Sequence, residues 1–151
     1  MDQLEGREPI NIGLLAHVDA GKTTLTEQML YLSGAVRTKG RVDQGTAHTD
    51  RMDIERKRGI SVRSAPASIC WKGERINIID TPGHSDFSSE VQRSIRALDA
   101  AVIVISAVEG IQPQTEIFCD ALNFSNLPVI FFINKIDRAG ADAGGVMRDI
   151  E

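Results

Sequence analysis

The chain alternates between short apolar runs and segments in which apolar residues recur at helical spacing. Four runs are nearly continuous and rich in β-branched residues: Ile10–Ala16, Ile76–Ile79, Ala100–Ile105 and Val129–Ile133. Continuous apolar runs are typical of parallel strands that are covered on both faces. We therefore predict an α/β fold, with a mostly parallel sheet and helices on both sides.

The segments between the runs predict helices. Apolar residues recur every three or four positions in three sets: Leu25, Met29, Leu32; Phe87, Val91, Ile95, Leu98; and Ile117, Ala121, Phe124. For the last two sets we expect the side chains to pack in the core. A further helix is expected over Gly145–Glu151.

A fifth strand is expected over Ser61–Trp71. Lys72-Gly73-Glu74 would turn this segment back into the run at Ile76, which predicts an antiparallel hairpin. Pro66 cannot donate a backbone hydrogen bond, so it favours an edge position for this strand.

The segment Ser33–Gly59 has several glycines, many charges and no sustained period, and we expect a functional loop that orders around a ligand. Residues 37–63 carry eight Lys/Arg and four Asp/Glu, a net charge of +4 in a chain whose net charge is −4. This local excess fits either a solvated helix end or contact with phosphate-rich RNA. The acidic balance of the whole chain excludes a protein that coats nucleic acid.

Composition indicates a cytoplasmic protein. No apolar run approaches the roughly 20 residues of a membrane helix, and residues 1–8 do not form a signal peptide. Cys70 and Cys119 lack the spacing of metal ligands, which favours free thiols in a reducing compartment.

Chemistry is concentrated in residues 16–24, which follow the first apolar run. A strand, a loop and Gly-Lys-Thr at the start of a helix are the context of a phosphate-binding loop. Gly21 lets the backbone approach a phosphate, Lys22 reaches the terminal phosphates, and Thr23 offers a hydroxyl to Mg²⁺. The usual first glycine of this motif is replaced by Ala16, and by itself the motif could merely start a helix.

Two further motifs end apolar runs. Asp80-Thr81-Pro82-Gly83-His84 follows one run, and Asn134-Lys135-Ile136-Asp137 follows another. Ligands of parallel α/β sheets bind at the carboxyl ends of strands, so all three motifs can face one ligand. Asp80 suits a Mg²⁺ shell, and the Gly83 N–H can reach the γ-phosphate. Asp137 can accept two hydrogen bonds from guanine, and adenine has no such donor pair. Asn134 can link the two loops, and the Lys135 stem can cover the base.

In these motifs the sequence resembles the GTP-binding domain of translational GTPases, which have a Ras-like P-loop NTPase fold. The resemblance extends over residues 10–142 and includes Arg58-Gly59-Ile60-Ser61, similar to the switch that closes over Mg²⁺. The sequence is most similar to the ribosomal protection proteins of tetracycline resistance and to elongation factor G. Val42-Asp43-Gln44-Gly45-Thr46 and Asn77-Ile78-Ile79-Asp80 favour the protection proteins.

The resemblance implies a role for each matching residue. Phosphates and Mg²⁺ would be held by Asp19, Ala20, Gly21, Lys22, Thr23 and Thr24. It also implies a monovalent cation near Asp19. Ser61 stands where the family usually has Thr, and it would ligate Mg²⁺ through its hydroxyl. His84 would position the attacking water once the ribosome aligns it. His17 and His48 receive no role.

The leading interpretation is therefore a Mg²⁺-dependent GTPase that binds GTP and GDP and acts with the ribosome and its RNA. No arginine finger is evident, so we expect slow hydrolysis by the chain alone. The alternatives are an elongation factor G-type translocase or release factor, a nucleotide-binding switch without useful turnover, and an ATP-using P-loop protein. Asp137 argues against the last, and His84 against the switch.

The family's last base-contacting loop, a Ser-Ala motif after another strand, has no counterpart after Asp137. Ser106-Ala107 has the same letters but precedes Asn134. We expect residues 1–151 to be an N-terminal GTP-binding domain that lacks its last strand and helix, and part of a longer multidomain protein; a naturally short product is the alternative. Val129–Ile133 would then be an exposed apolar edge that favours self-association.

Overall fold

The computed structural model describes residues 8–36, 65–80 and 95–151. Within these ranges five strands form one sheet: β1 (Ile10–Ala16), β2 (Ala65–Trp71), β3 (Glu74–Asp80), β4 (Ala100–Ser106) and β5 (Val129–Asn134). The three helices of the same ranges are α1 (Lys22–Leu32), α2 (Pro113–Phe124) and α3 (Ala143–Ile150). Every predicted strand is present, and the observed bounds of β3, β4 and β5 extend the predicted runs by one to three residues.

The sheet has the strand order β2-β3-β1-β4-β5. β1 runs parallel to β3 and β4, and β5 runs parallel to β4. Only β2 is antiparallel, and it lies at the edge beside β3. The predicted mostly parallel sheet, with an antiparallel edge hairpin, is therefore confirmed.

The turn of this hairpin contains two residues, Lys72 and Gly73, because Trp71 and Glu74 are already paired across the strands. Both turn residues have positive φ, 50° and 85°, as a type I′ turn requires. Glu74 therefore belongs to β3, whereas the sequence analysis placed it in the turn.

Helices cover both faces of the sheet. Successive residues of a strand point to opposite faces, and Leu14 and Leu15 of β1 accordingly enter different clusters. Leu14 packs with Leu30 of α1, and Leu15 packs with residues of α2 and α3: Phe118, Leu122 and Val146. Leu98 belongs to the same cluster as Leu15 and lies beside Gly13. A Cβ built on Gly13 would lie 2.4 Å from the Leu98 Cδ1. A glycine at position 13 therefore lets Leu98 approach β1.

The prediction that Ile117, Ala121 and Phe124 of α2 pack in the core is wrong. Ile117 is 60% exposed and Phe124 is 93% exposed, and Ala121 is only partly buried. The buried residues are instead Thr115, Phe118 and Leu122, which have the same helical spacing but lie on a neighbouring stripe. Periodicity showed that a helix forms, but it did not determine which of two stripes meets the sheet.

Two other helices differ from expectation in detail. α1 forms where predicted, yet Leu32 is exposed, and the fully or nearly buried residues are Lys22, Thr26, Glu27 and Leu30. α3 begins two residues before the predicted start, because the Asp142 carboxylate accepts a hydrogen bond from the Gly145 N–H at 2.8 Å. An Asp at this position caps the free N–H groups of a helix and fixes its first turn.

Several predictions fall outside the described residues. These are the strand residues 61–64, the Phe87 and Val91 positions of a predicted helix, and most of the Ser33–Gly59 loop, from residue 37 onward. The described residues Ile95 and Leu98 are buried, as expected of the same pattern.

Candidate nucleotide-binding site

The phosphate-loop motif lies between the carboxyl end of β1 and the first turn of α1. The chain turns at Asp19, with φ of 62°, and at Gly21, with φ of 100°. α1 then begins at Lys22 without a side-chain cap on its first N–H groups. A helix start that follows a glycine, which has no side chain to cap it, suits an anion.

The side chains of this loop differ in burial. Lys22 is buried and Ala20 fully buried, Thr23 is partly buried, and Asp19 and Thr24 are exposed. Thr26, one turn into α1, donates its hydroxyl to the Lys22 carbonyl at 3.1 Å. This hydrogen bond holds the Lys22 carbonyl within the first turn of the helix.

The second loop begins at the carboxyl end of β5. Asn134 donates its Nδ2 hydrogen to the Ala20 carbonyl at 2.9 Å, which is the link between the two loops expected from the sequence. The same amide nitrogen would lie 2.2 Å from a Cβ built on Gly21. A side chain at position 21 would therefore displace Asn134, so glycine is required both for its φ and for this close approach.

The base-loop motif, residues 134–137, turns sharply after Asn134. Lys135 has φ of 58°, and the Arg138 N–H donates to the Lys135 carbonyl at 3.1 Å. The turn leaves Lys135 partly buried and Asp137 exposed. An exposed carboxylate beside a partly buried aliphatic stem is available to a planar base.

Ala107 supports this loop through its backbone. Its N–H donates to the Asn134 carbonyl at 2.8 Å, and its carbonyl accepts from the Asp142 N–H at 2.8 Å. The Ser106-Ala107 pair was not expected to contact the base, because it precedes Asn134 in the sequence. At the end of β4 it holds the base loop in place, through the backbone of Ala107.

The remaining predicted residues are described only in part. β3 ends at Asp80, which pairs with Leu14 in the register of β1 and β3, so its backbone lies at the same end of the sheet as the two loops. Ser61, Gly83 and His84 lie outside the described residues. The structure thus joins the phosphate and base loops directly and brings the end of β3 to the same edge.

One residue without a predicted role belongs to this region. His17, the first residue after β1, is 7% exposed, and its ring contacts the end of β4. The signal that identifies His17 is the burial of its polar ring within the phosphate loop, and burial cannot be read from a single histidine in the sequence.

Comparisons with known proteins place this geometry in a family. The model of the elongation factor Tu GTP binding domain matches residues 7–151. The tetracycline resistance protein TetP of Clostridium perfringens is 56% identical over 142 residues, which are 94% of this chain and 22% of that protein. TetM from transposon Tn1545 of Enterococcus faecalis is also 56% identical, and TetO of Campylobacter jejuni is 55% identical, with the same coverage.

A crystal structure of a protein from Thermus thermophilus has a TM-score of 0.88 and 34% sequence identity, and the match covers 94% of this chain and 21% of that one. The chain thus spans about a fifth of the length of the relatives it matches. No helix in the described ranges has the length and apolar character needed to cross a bilayer. The chain belongs to the family of elongation factor Tu GTP-binding domains, with a P-loop NTPase fold.

Proposed function

We propose that this chain is the GTP-binding and GTP-hydrolysing part of a longer ribosomal protection protein that gives resistance to tetracycline. The observation that carries the proposal is the hydrogen bond between Asn134 and Ala20, because it joins the base motif to the phosphate motif in one site. The identity of 54–56% to tetracycline resistance proteins over nearly the whole chain supports the physiological role.

Asp137 would read the base in this proposal. Its carboxylate is exposed at the end of the base loop, where two acceptor oxygens match the N1–H and exocyclic amine of guanine. Lys135 would lie against the base face, and the N–H groups of residues 19–24 would surround the phosphates. An arrangement of this kind would explain why Asn134 donates a hydrogen bond to the phosphate loop and lies so close to Gly21.

The residues proposed for Mg²⁺ carry only oxygen ligands. Thr23 lies in the first turn of α1, and β3 ends at Asp80 at the same sheet edge. Hydroxyl and carboxylate oxygens fit a hard cation that keeps several waters, and Ser61 would add a third oxygen. When bound, Mg²⁺ neutralises charge on the β- and γ-phosphates. A monovalent cation near Asp19 is part of the same proposal.

Base specificity tests the proposal most directly. In competition binding, GDP and GTP should displace a labelled guanine nucleotide, and ATP should not. Asp137→Asn should weaken GDP binding and improve the binding of xanthosine diphosphate, because the donor and acceptor are exchanged at one position. Equal affinity of the native chain for ATP and GTP would contradict the proposal.

Hydrolysis tests the enzymatic part. We expect very slow turnover by the chain alone, since a stimulating partner is worth about 10³–10⁵-fold in this chemistry. In the longer protein, His84→Ala should remove most of the hydrolysis stimulated by ribosomes and leave GTP binding nearly unchanged. A ribosome-stimulated rate unaffected by this substitution would refute the role of His84 and favour a switch without useful turnover.

Drug protection separates the proposed role from that of a translocase. The longer protein should release tetracycline from ribosomes in a GTP-dependent manner, and it should not replace a translocation factor in a reconstituted translation system. The reverse result would establish the alternative role of a translocase.

We also propose a cytoplasmic location, supported by the free thiols of Cys70 and Cys119 in the described ranges.

Self-association through β5 is the last part of the proposal. β5 forms one edge of the described sheet, and Ile130 is 63% exposed there, beside the exposed Phe131 and Phe132. An apolar edge strand readily pairs with another chain. Sedimentation should show concentration-dependent association that Ile130→Lys reduces. A native chain that stays monomeric at the highest concentration would contradict this part.

A further inference from the structure

The ring of His17 is held by three groups at the carboxyl end of the sheet. Its Nε2 lies 3.4 Å from the backbone N of Ser106, the last residue of β4. Its Nδ1 lies 2.9 Å from the carbonyl oxygen of Val18 and 3.5 Å from Oε2 of Glu109. The ring is nearly inaccessible to solvent, so these contacts determine its hydrogen bonding.

The three contacts agree on a single tautomer of the ring. A backbone N–H can only donate, so Nε2 must accept from Ser106 and carries no proton. Nδ1 faces a carbonyl oxygen and a carboxylate, which are both acceptors, so the proton of the neutral ring lies there. A charged ring would place an Nε2 proton against the Ser106 N–H.

The contact with Val18 fixes the direction of a peptide group in the phosphate loop. The Val18–Asp19 bond is trans, as are all peptide bonds of the described residues. In a trans peptide the C=O and N–H point in opposite directions. With the Val18 carbonyl held on the His17 ring, the Asp19 N–H is directed away from the ring and toward the outer side of the loop.

Two hydrogen bonds thus anchor the phosphate loop to the same pair of strands. His17 binds the backbone of Ser106, and Ala20 binds the side chain of Asn134. Ser106 and Asn134 are direct partners in the register of β4 and β5. The turn between the two anchors is closed by the Ala20 N–H, which donates to the His17 carbonyl at 3.2 Å. The Val18–Asp19 peptide lies between them.

From this geometry we propose that His17 is a positioning residue for phosphate recognition. Its neutral ring, protonated on Nδ1, holds the Val18 carbonyl and thereby presents the Asp19 N–H to a phosphate of the bound nucleotide. The inference rests on the proposed guanine nucleotide binding and assigns a function to a phosphate-loop residue that received no role from the sequence. His17 itself touches no nucleotide in this proposal.

Substitutions separate positioning from simple packing. His17→Leu keeps an apolar body of similar size and removes both hydrogen bonds to the backbone. His17→Gln retains one acceptor and one donor. Thr115→Val is the matched control, because Thr115 is a buried polar residue of α2 whose hydroxyl accepts from the Gln112 N–H, remote in sequence from the loop.

The readout is calorimetric affinity for GDP and for guanosine, which lacks phosphates. His17→Leu should weaken GDP binding about tenfold, comparable to the loss of one hydrogen bond, and change guanosine binding less than about twofold. His17→Gln should recover most of the GDP affinity. Thr115→Val should lower thermal stability and leave both affinities unchanged. An unaltered GDP affinity in His17→Leu, or equal losses for GDP and guanosine, would overturn the proposal.

A measurement on the native chain does not depend on the folding of any variant. Long-range ¹H–¹⁵N spectra should show the tautomer of His17 that is protonated on Nδ1, and a ring protonated on Nε2 instead would overturn the proposal. If the native chain binds neither GDP nor guanosine, the proposed function fails together with the positioning role. If the native chain binds GDP and His17→Leu binds it as tightly, the positioning role alone fails.

Discussion

Helices α1 and α2 pack on opposite faces of the same sheet, but they bury different kinds of side chain. α2 contributes Phe118 and Leu122 to the larger apolar cluster. α1 buries Lys22, Thr26 and Glu27, and its only buried large apolar residue is Leu30. Burying charged groups is costly unless they are compensated by partners. A helix that does so near its N-terminus is organised for something other than apolar packing.

The first turns of α1 and α2 also differ in how they are capped. The first turn of α2 is closed by Thr115, whose hydroxyl accepts from the Gln112 N–H at 3.4 Å. α1 begins after Gly21 with no side-chain cap, and its loop is instead fastened to β4 and β5 by hydrogen bonds. α2 therefore mainly stabilises the fold, whereas the loop before α1 is held in position by the ends of β4 and β5, as the proposed nucleotide site requires.

The largest expected effect is on the stability contributed by α2. Leu122→Ala removes a fully buried side chain, and the free energy of unfolding should decrease by about 2–5 kcal/mol in urea denaturation. Phe124→Ala on the same helix is the control, because this exposed ring should contribute within about 0.5 kcal/mol. Equal losses in the two variants would contradict the assignment of the buried stripe.

The next effect concerns binding by α1. Lys22→Ala should weaken GDP binding about 10- to 100-fold, as expected for hydrogen bonds from a charged group to phosphate. The loss of unfolding free energy without nucleotide should be smaller than that of Leu122→Ala. Lys72→Ala, in the exposed hairpin turn, should bind GDP like the native chain in the same titration calorimetry. A GDP affinity unaffected by Lys22→Ala would contradict the proposal that the start of α1 serves binding and α2 serves stability.

A smaller effect is expected for the link between the loops. Asn134→Ala removes the hydrogen bond to the Ala20 carbonyl and should weaken GDP binding about three- to tenfold. Asn123→Ala, on the exposed side of α2, is the matched amide control. If both variants bind GDP equally well, fastening of the phosphate loop through Asn134 does not contribute to affinity.

The smallest effect is a difference in thiol reactivity. Burial raises the pKa of the Cys119 thiol on α2, and the carboxylates of Asp120 and Glu116 raise it further. A raised pKa lowers the thiolate fraction, so Cys119 should react with a disulfide reagent more slowly than the exposed Cys70 at about pH 8. Its labelling rate, measured in Cys70→Ser, should keep increasing above the pKa of an ordinary thiol. Faster labelling of Cys119 than of Cys70 would contradict the burial of this side of α2.

The parallel strands and the loops that follow them could be predicted from the sequence alone. β1 coincides with its predicted bounds, because a short, mostly apolar run between a polar segment and a glycine-containing loop favours a buried strand. The hairpin could be predicted equally well, since Gly73 tolerates positive φ and Pro66 disfavours a central strand. The order of the motifs placed the phosphate and base loops at one edge, as the topology of parallel strands requires.

The tertiary structure decided which sides of the helices are buried. Ile117 and Phe124 have the spacing of core residues, but Phe118 and Leu122 meet the sheet, because both apolar stripes have this spacing and only packing on the sheet distinguishes them. The contacts of His17 also depend on the tertiary structure. Only the approach of β4 brings the Ser106 N–H to the ring, and a contact between residues 89 positions apart leaves no local pattern in the sequence.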